Sequence, residues 1–340
     1  MKKGFYLENW HKLSLPVVQI ANELNPFYNK GVVFYAALAN HLPYENIKFI
    51  TVYGLLQNAL DVGALQKTKI LVEATSGNTG VALALMAKHF GINKVKLVVA
   101  PDIPDGKRYP LILAGAELIY PKEGLSAIAT AREMGGGGWK PDGWQPDSGY
   151  LNLDQYANPF GAEPHSTFTA DKIVEKLFYN TPSIFVSGIG TGGTMVGIGK
   201  YIKRNNMRAV NIGVLLKAGS EIPGVRDLNR MKEITLPWRD FSDGIVEIGS
   251  RQSYLASLWL NWVMGITPGP SSGFAYLGAL KFIKSLIDSK LDSFRDDHDK
   301  VRVVVIFPDG NRPYGDRYMA NLPFECLSPA TAPLPWNWKV

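Results

Sequence analysis

Ser183-Ile184-Phe185-Val186-Ser187-Gly188-Ile189-Gly190-Thr191-Gly192-Gly193-Thr194 runs from an apolar stretch straight into a loop of glycine and threonine, and a helical pattern over residues 194–204 follows. Apolar and β-branched residues at nearly every position mark a strand buried on both faces, as in a parallel sheet. Four glycines let the backbone approach a ligand closely and turn its N–H groups inward, and the threonine hydroxyls add donors. Strand, glycine loop and helix in that order make a phosphate cradle. A purely structural turn rarely needs so many glycines with threonines between them. Gly188, Gly190 and Gly193 also satisfy the spacing of a dinucleotide fingerprint. That motif wants an acidic residue at the end of the next strand to hold a ribose. The next apolar run, residues 210–217, ends on Leu-Leu-Lys without one. No Lys-Ser/Thr pair follows the glycines, which excludes a Walker-type loop.

The same rhythm extends in both directions. Strands are predicted over residues 32–38, 70–73, 95–100, 117–120, 183–187, 210–216 and 301–307, and helices over 49–60, 79–90, 126–134, 170–178, 194–204, 254–263 and 274–289. Such alternation predicts parallel sheet covered by helices, an α/β architecture. A second loop, Glu73-Ala74-Thr75-Ser76-Gly77-Asn78-Thr79-Gly80, also stands between a strand and an apolar helix. Its hydroxyls, amide and free N–H groups suit a carboxylate or another anion, and equally suit an ordinary helix cap. Residues 135–149, rich in Gly, Pro and Trp, break the rhythm and read as a surface loop, either a tolerated insertion or a lid or dimer contact. The proline-rich segment 322–340 reads as a surface tail.

Composition narrows the function. The 340 residues are 46% hydrophobic and 19% charged, which fits a globular chain with a sizeable core and not a disordered one. The net charge of +6 comes from Lys and Arg spread along the chain, which suits anionic metabolites and gives no nucleic-acid footprint. A single cysteine, Cys326, rules out a disulfide framework within the chain, and the five histidines show no ligand spacing, so no metal is expected. No apolar stretch approaches the length of a membrane span, and the amino terminus lacks a signal-peptide pattern, so a cytoplasmic location without membrane partners is expected.

Thr75–Gly80 and Gly190–Thr194 together resemble the cysteine synthase and cystathionine β-synthase family of pyridoxal 5'-phosphate (PLP) enzymes. Further matches follow in order: Leu153-Asp154-Gln155-Tyr156 with Asn158, His165 and Thr169-Ala170-Asp171, then Gly269-Pro270-Ser271-Ser272-Gly273, then Phe307-Pro308-Asp309, then Gly315-Asp316-Arg317-Tyr318. The resemblance implies a tryptophan synthase β-like fold: two doubly wound parallel-sheet domains with PLP in the cleft between them. Residues 1–48 and 155–330 would form the larger, cofactor-anchoring domain, 49–154 a smaller mobile substrate-binding domain, and 331–340 a tail. Lys30 and Lys48 both compete as the lysine that bonds PLP. The family places its lysine one helix and one strand ahead of the Ser-Gly-Asn-Thr-Gly loop, and Lys48 in Pro43-Tyr44-Glu45-Asn46-Ile47-Lys48 stands at that distance from Ser76.

The resemblance then distributes roles. Lys48 would bond the cofactor and act as base at Cα of the substrate. Gly190, Thr191, Gly192, Gly193 and Thr194 would bind the phosphate, Asn78 the ring's 3'-oxygen and Ser271 the pyridine nitrogen. Thr75, Ser76, Gly77, Thr79 and Gln155 would hold the substrate carboxylate. A serine hydroxyl at the nitrogen makes the ring a weak electron sink, which favours prompt loss of a β-leaving group over transamination; an aspartate at that position would reverse this. The implied activity is cysteine synthase-like: O-acetylserine or O-phosphoserine plus sulfide gives cysteine through an aminoacrylate. Cystathionine β-synthase, cysteine desulfhydrase and serine/threonine dehydratase activities stay open, as does a non-catalytic PLP-binding regulatory role. A homodimer is implied. The chain departs from the family at Asn46, at Phe49-Ile50, at Ile222-Pro223-Gly224-Val225-Arg226 and at Pro270.

Overall fold

The computed structural model describes residues 5–144, 149–178 and 181–336. Among the described residues ten strands form two sheets: β1 (Val17–Gln19), β2 (Val32–Leu38), β3 (Ile70–Ala74), β4 (Lys94–Val98), β5 (Glu117–Ile119), β6 (Tyr150–Asn152), β7 (Ile184–Gly188), β8 (Val210–Leu216), β9 (Gly244–Ile248) and β10 (Val301–Phe307). The larger sheet has the order β1-β2-β10-β7-β8-β9, the smaller β5-β4-β3-β6. All pairings are parallel except β1 against β2, which runs antiparallel at the edge. This is the expected α/β architecture with parallel sheets.

Position in the sheet explains composition. β10, Val-Arg-Val-Val-Val-Ile-Phe, lies between β2 and β7 and is buried at every residue. Its one charged residue, Arg302, is tied to Asp296 outside the strand. Each strand of the smaller sheet is short, and β5 at its edge is partly exposed throughout.

The sequence reading places seven strands; β1, β6 and β9 are additional. β1 and β6 are three residues long, too short for periodicity to register. β9 alternates buried and exposed residues because it is an edge strand. The helix Asp105–Leu113 also escapes the pattern: it carries Pro110 and exposes Ile112 and Leu113. Within the 135–149 loop, residues 145–148 lie outside the described residues, as do 337–340 of the tail. Among the described residues no helix is long and apolar enough to cross a membrane.

The topology gathers chemistry at one end of both sheets. In parallel α/β sheets, ligands sit beyond the carboxyl ends of the strands. Here the segments after β2, β3, β6, β7, β8 and β10 supply Lys48, then Ser76, Asn78 and Thr79, then Gln155, the 189–193 glycines, Gly224 to Arg226 and Asp309, and all of these groups line one cavity.

Candidate active site

Lys48 opens the helix Lys48–Asp61. The chain reaches it through two successive left-handed residues, Tyr44 (φ 64°) and Glu45 (φ 56°), a conformation costing non-glycine residues about 1–3 kcal/mol each. Asn46 compensates locally. Its Oδ1 accepts the Lys48 N–H at 2.9 Å, and its Nδ2 donates to the Tyr44 carbonyl at 2.6 Å. Asn46 thus performs a turn-stabilising task for which asparagine is suited. Ile47 N–H donates to the Pro308 carbonyl at 2.8 Å, which docks the start of the helix on the end of β10. Phe49 and Ile50 are fully buried, with the Phe49 ring edge-on to Tyr44 at 5.7 Å. Burial pushes the Lys48 ammonium down to about 8, against the pull of Asp309, whose negative charge favours the protonated form. A lysine lowered this far reaches its neutral form, the nucleophile and base, far more readily than an exposed lysine does.

On the larger sheet the cavity wall is the cradle after β7. Gly188, Gly190, Gly192, Gly193, Thr191 and Thr194 all line it. A Cβ on Gly190 would stand 2.1 Å from the Gly224 carbonyl oxygen, so only glycine fits. Gly192 has φ +86°, a left-handed conformation that closes the loop into the helix Gly193–Arg204. The first N–H groups of that helix have no acceptor inside it and face an incoming anion. Ser187, buried on the cavity wall, has a hydroxyl with no hydrogen-bond partner among the described residues. The Ile222–Arg226 segment is pinned here: Arg226 N–H donates to the Ile189 carbonyl at 3.0 Å, and Leu216 N–H to the Arg226 carbonyl at 2.9 Å.

On the smaller sheet the loop after β3 is braced by its own side chains. The Thr75 hydroxyl accepts N–H groups from Gly77 at 3.0 Å and Gly80 at 3.1 Å. Thr79 donates to Gln155 Oε1 at 2.8 Å, and Gln155 Nε2 donates to the Ala74 carbonyl at 2.8 Å. Ser76, Asn78, Thr79 and Gln155 line the cavity; Thr75 and Gly77 do not, and serve the loop from behind. Glu73, beneath the loop, is sealed from water. Burial pushes its carboxyl up to about 8, so it is a neutral acid at physiological pH.

Between the two walls sits Asp309. Its side chain accepts from Asn78 Nδ2 at 2.7 Å, from Ser271 Oγ at 3.1 Å and from the Tyr314 hydroxyl. Lys107 Nζ lies 3.8 Å from it, donates to Asn78 Oδ1 at 2.8 Å and stands 3.9 Å from the centre of the Tyr314 ring. Burial pushes Lys107 down to about 8 as well, with Asp309 again opposing. Pro270 takes the first turn of the helix Pro270–Leu286, where its missing N–H costs nothing, and so sets Ser271 facing the cavity.

A family model described as pyridoxal-phosphate-dependent enzyme matches residues 21–309 of the chain. The chain belongs to that family. Its cofactor is pyridoxal phosphate, and the enzyme acts on amino acids. Among curated proteins it is similar to cysteine synthase B of Escherichia coli, 30% identical over 267 residues covering 77% of this chain and 83% of that one. It is also similar to the cysteine synthase of Aquifex aeolicus, 27% identical over 305 residues covering 88% and 87%. Among solved structures, an O-acetylserine-dependent cystathionine β-synthase from Helicobacter pylori matches with a TM-score of 0.74 at 23% identity, covering 93% of this chain and 98% of that one. The cysteine synthase of Entamoeba histolytica matches with 0.73 at 22%, covering 92% and 90%. These two share the fold.

The residues present fit the cofactor. A buried amine of lowered pKa, a glycine cradle with no room for side chains and an unpartnered buried serine suit an aldehyde and a phosphoester. The structure brings Lys48, Ser76, Asn78, Thr79, Gln155, Gly190 to Thr194 and Ser271 to one cavity. Sequence reasoning gave no role to Lys107, Arg226, Arg230 or Tyr314, which line it too, and matched Asp309 only as the end of the last strand. Pro308-Asp309 after the most apolar strand was the available signal; Lys107 had none. His165 is fully buried and lies between the hydroxyls of Thr51 and Thr169, each at 3.0 Å, and burial pushes its imidazole down to about 3. It is a neutral brace between the Lys48 helix and the segment His165–Thr169.

Proposed function

We propose that this enzyme catalyses β-replacement on an activated L-serine, cysteine synthase-like, with sulfide or a thiol as the incoming nucleophile. The observation that carries the reading is the meeting of the buried Lys48 amine with the glycine cradle on one side and the Ser76–Thr79 loop with Gln155 on the other. PLP, when bound, supplies a carbonyl that captures the amino acid and a ring that accepts electrons from its Cα. The chain's own residues do the rest. The 190–194 segment takes the phosphate, Asn78 the ring oxygen and Ser271 the ring nitrogen. Ser76, Thr79 and Gln155 hold the substrate carboxylate, and the bonds within the loop fix their direction before the substrate arrives. Thr75 and Gly77, assigned to the carboxylate by resemblance, support that loop instead. Lys48 Nζ, freed by the substrate amine, removes the Cα proton and later returns one.

The guanidinium groups of Arg226 and Arg230 at the cavity wall favour a leaving group with negative charge, and so O-phosphoserine over O-acetylserine. Arg226 is partly neutralised by Glu233 at 3.2 Å and stacks 5.2 Å from the Tyr156 ring. The reading carries with it a homodimer, a cytoplasmic setting, and a smaller domain (49–154) that closes on a larger one (1–48 and 155–330).

The test is a substrate panel on the PLP-loaded enzyme. O-phosphoserine or O-acetylserine should perturb the cofactor's absorbance, and added sulfide should restore it with formation of cysteine. Pyruvate and ammonia as the main products would make the enzyme a lyase. Turnover of serine with homocysteine alone would move it to the cystathionine β-synthase reading. No response to any amino acid would leave only the regulatory one.

A further inference from the structure

Among the described residues Asp309 is the only acid lining the cavity. Its two oxygens have different neighbours. Oδ2 accepts from Asn78 Nδ2 at 2.7 Å and from the Tyr314 hydroxyl, with Lys107 Nζ 3.8 Å away. Oδ1 accepts from Ser271 Oγ at 3.1 Å. The approach on that side is close: a Cβ on Gly269 would stand 2.3 Å from Oδ1. An ionised carboxylate is an acceptor only, and a serine hydroxyl has one proton to give. Ser271 therefore spends its proton on Asp309 and turns only lone pairs to the cavity. Lys107, as deeply buried as Asp309, keeps a cation beside the carboxylate after Lys48 is committed to the cofactor.

We propose that Asp309 is a positioning residue that reverses Ser271, so that the serine accepts a hydrogen bond from the cofactor's ring nitrogen and keeps that nitrogen protonated. The inference rests on the preceding reading, in which Ser271 meets the ring nitrogen. It stands against the expectation that a serine at this place leaves the ring a weak electron sink, and the protonation of the ring nitrogen decides between the two. The aspartate does not stand at the nitrogen; it acts on it through one hydroxyl.

The isosteric variant Asp309→Asn separates the two possibilities. Asn78, Tyr314 and Lys107 all offer donors at the Oδ2 position, so the new amide must put its oxygen there and its NH2 toward Ser271. The Ser271 hydroxyl then becomes the acceptor on that side and points its own proton into the cavity.

The experiment is nitrogen NMR of the holoenzyme loaded with ring-nitrogen-labelled PLP. The unaltered enzyme should resonate in the pyridinium range, Asp309→Asn in the free-pyridine range, and Tyr314→Phe still in the pyridinium range, because Ser271 keeps its acceptor. Should Asp309→Asn fail to fold, Ser271→Ala replaces it and should also lose the pyridinium signal. A free-pyridine signal in the unaltered enzyme, or a pyridinium signal that survives both Asp309→Asn and Ser271→Ala, overturns this inference and leaves the proposed function standing. A protein that takes up no PLP overturns both.

Discussion

The two glycine-containing loops occupy the same place in their sheets, each between the carboxyl end of a parallel strand and the start of a helix, yet they work differently. The loop after β7 relies on absent side chains: Gly190 lies against a carbonyl and Gly192 adopts a left-handed turn. The loop after β3 relies on bonds made by its side chains: the Thr75 hydroxyl accepts the Gly77 and Gly80 N–H groups, Thr79 donates to Gln155, and Asn78 donates to Asp309. On the proposed reading the first leaves its donors open for the cofactor, a ligand that stays, and the second is pre-braced for the substrate, a ligand that comes and goes, where strength matters less than direction.

Variants should divide along this line. The largest effect is expected where the loops converge. Lys48→Ala should abolish the cofactor's absorbance and lower turnover by about a thousandfold or more, since on the proposed reading it removes both the covalent anchor and the base. Gly190→Ala should come next. Overpacking costs about 1–3 kcal/mol, so PLP affinity, measured by titrating the apoenzyme, should fall about tenfold to a hundredfold. If Gly190→Ala instead altered only the amino-acid KM, the division between the loops would be wrong. Thr79→Val should do the opposite, leaving PLP binding intact and raising the amino-acid KM about five- to tenfold, as the loss of one neutral hydrogen bond implies.

Two pH effects sharpen the comparison. Only a neutral amine adds to an aldehyde, and Lys48 is pushed down to about 8. The rate at which apoenzyme takes up PLP should therefore climb with pH and reach half its limit near pH 8. The smallest effect concerns Glu73, beneath the braced loop. Its carboxyl is raised from the usual carboxylate range to about 8, so its contribution to stability is full below its unfolded pKa and is lost as pH rises through about 8. Glu73→Gln, neutral throughout, should flatten that part of the melting-temperature profile and melt above the unaltered enzyme at alkaline pH.

Much of this was legible in the residues. β2, β8 and β10 have the predicted bounds because strands buried on both faces are apolar without interruption. Both loops were visible because glycine, threonine and asparagine clusters between a strand and a helix carry backbone requirements that other residues do not meet. Lys48 was separable from Lys30 by spacing within the resemblance. The short strands β1 and β6 were illegible because three residues carry no period. The helix Asp105–Leu113 was hidden by Pro110 and its exposed apolar residues, and Lys107 with it.

Sequence alone determined the local chemistry: where the chain is apolar enough for buried parallel strands, where glycine permits a cradle, and which lysine follows the first long strand. Those properties depend on near neighbours and on backbone sterics. Only the tertiary structure decided the company Asp309 keeps. Asn78, Lys107, Ser271 and Tyr314 come from separate parts of the chain, and the two sheets bring them around one carboxylate. The direction of a serine proton and the balance of charge around two buried lysines depend on distances across that cleft, which no local pattern encodes.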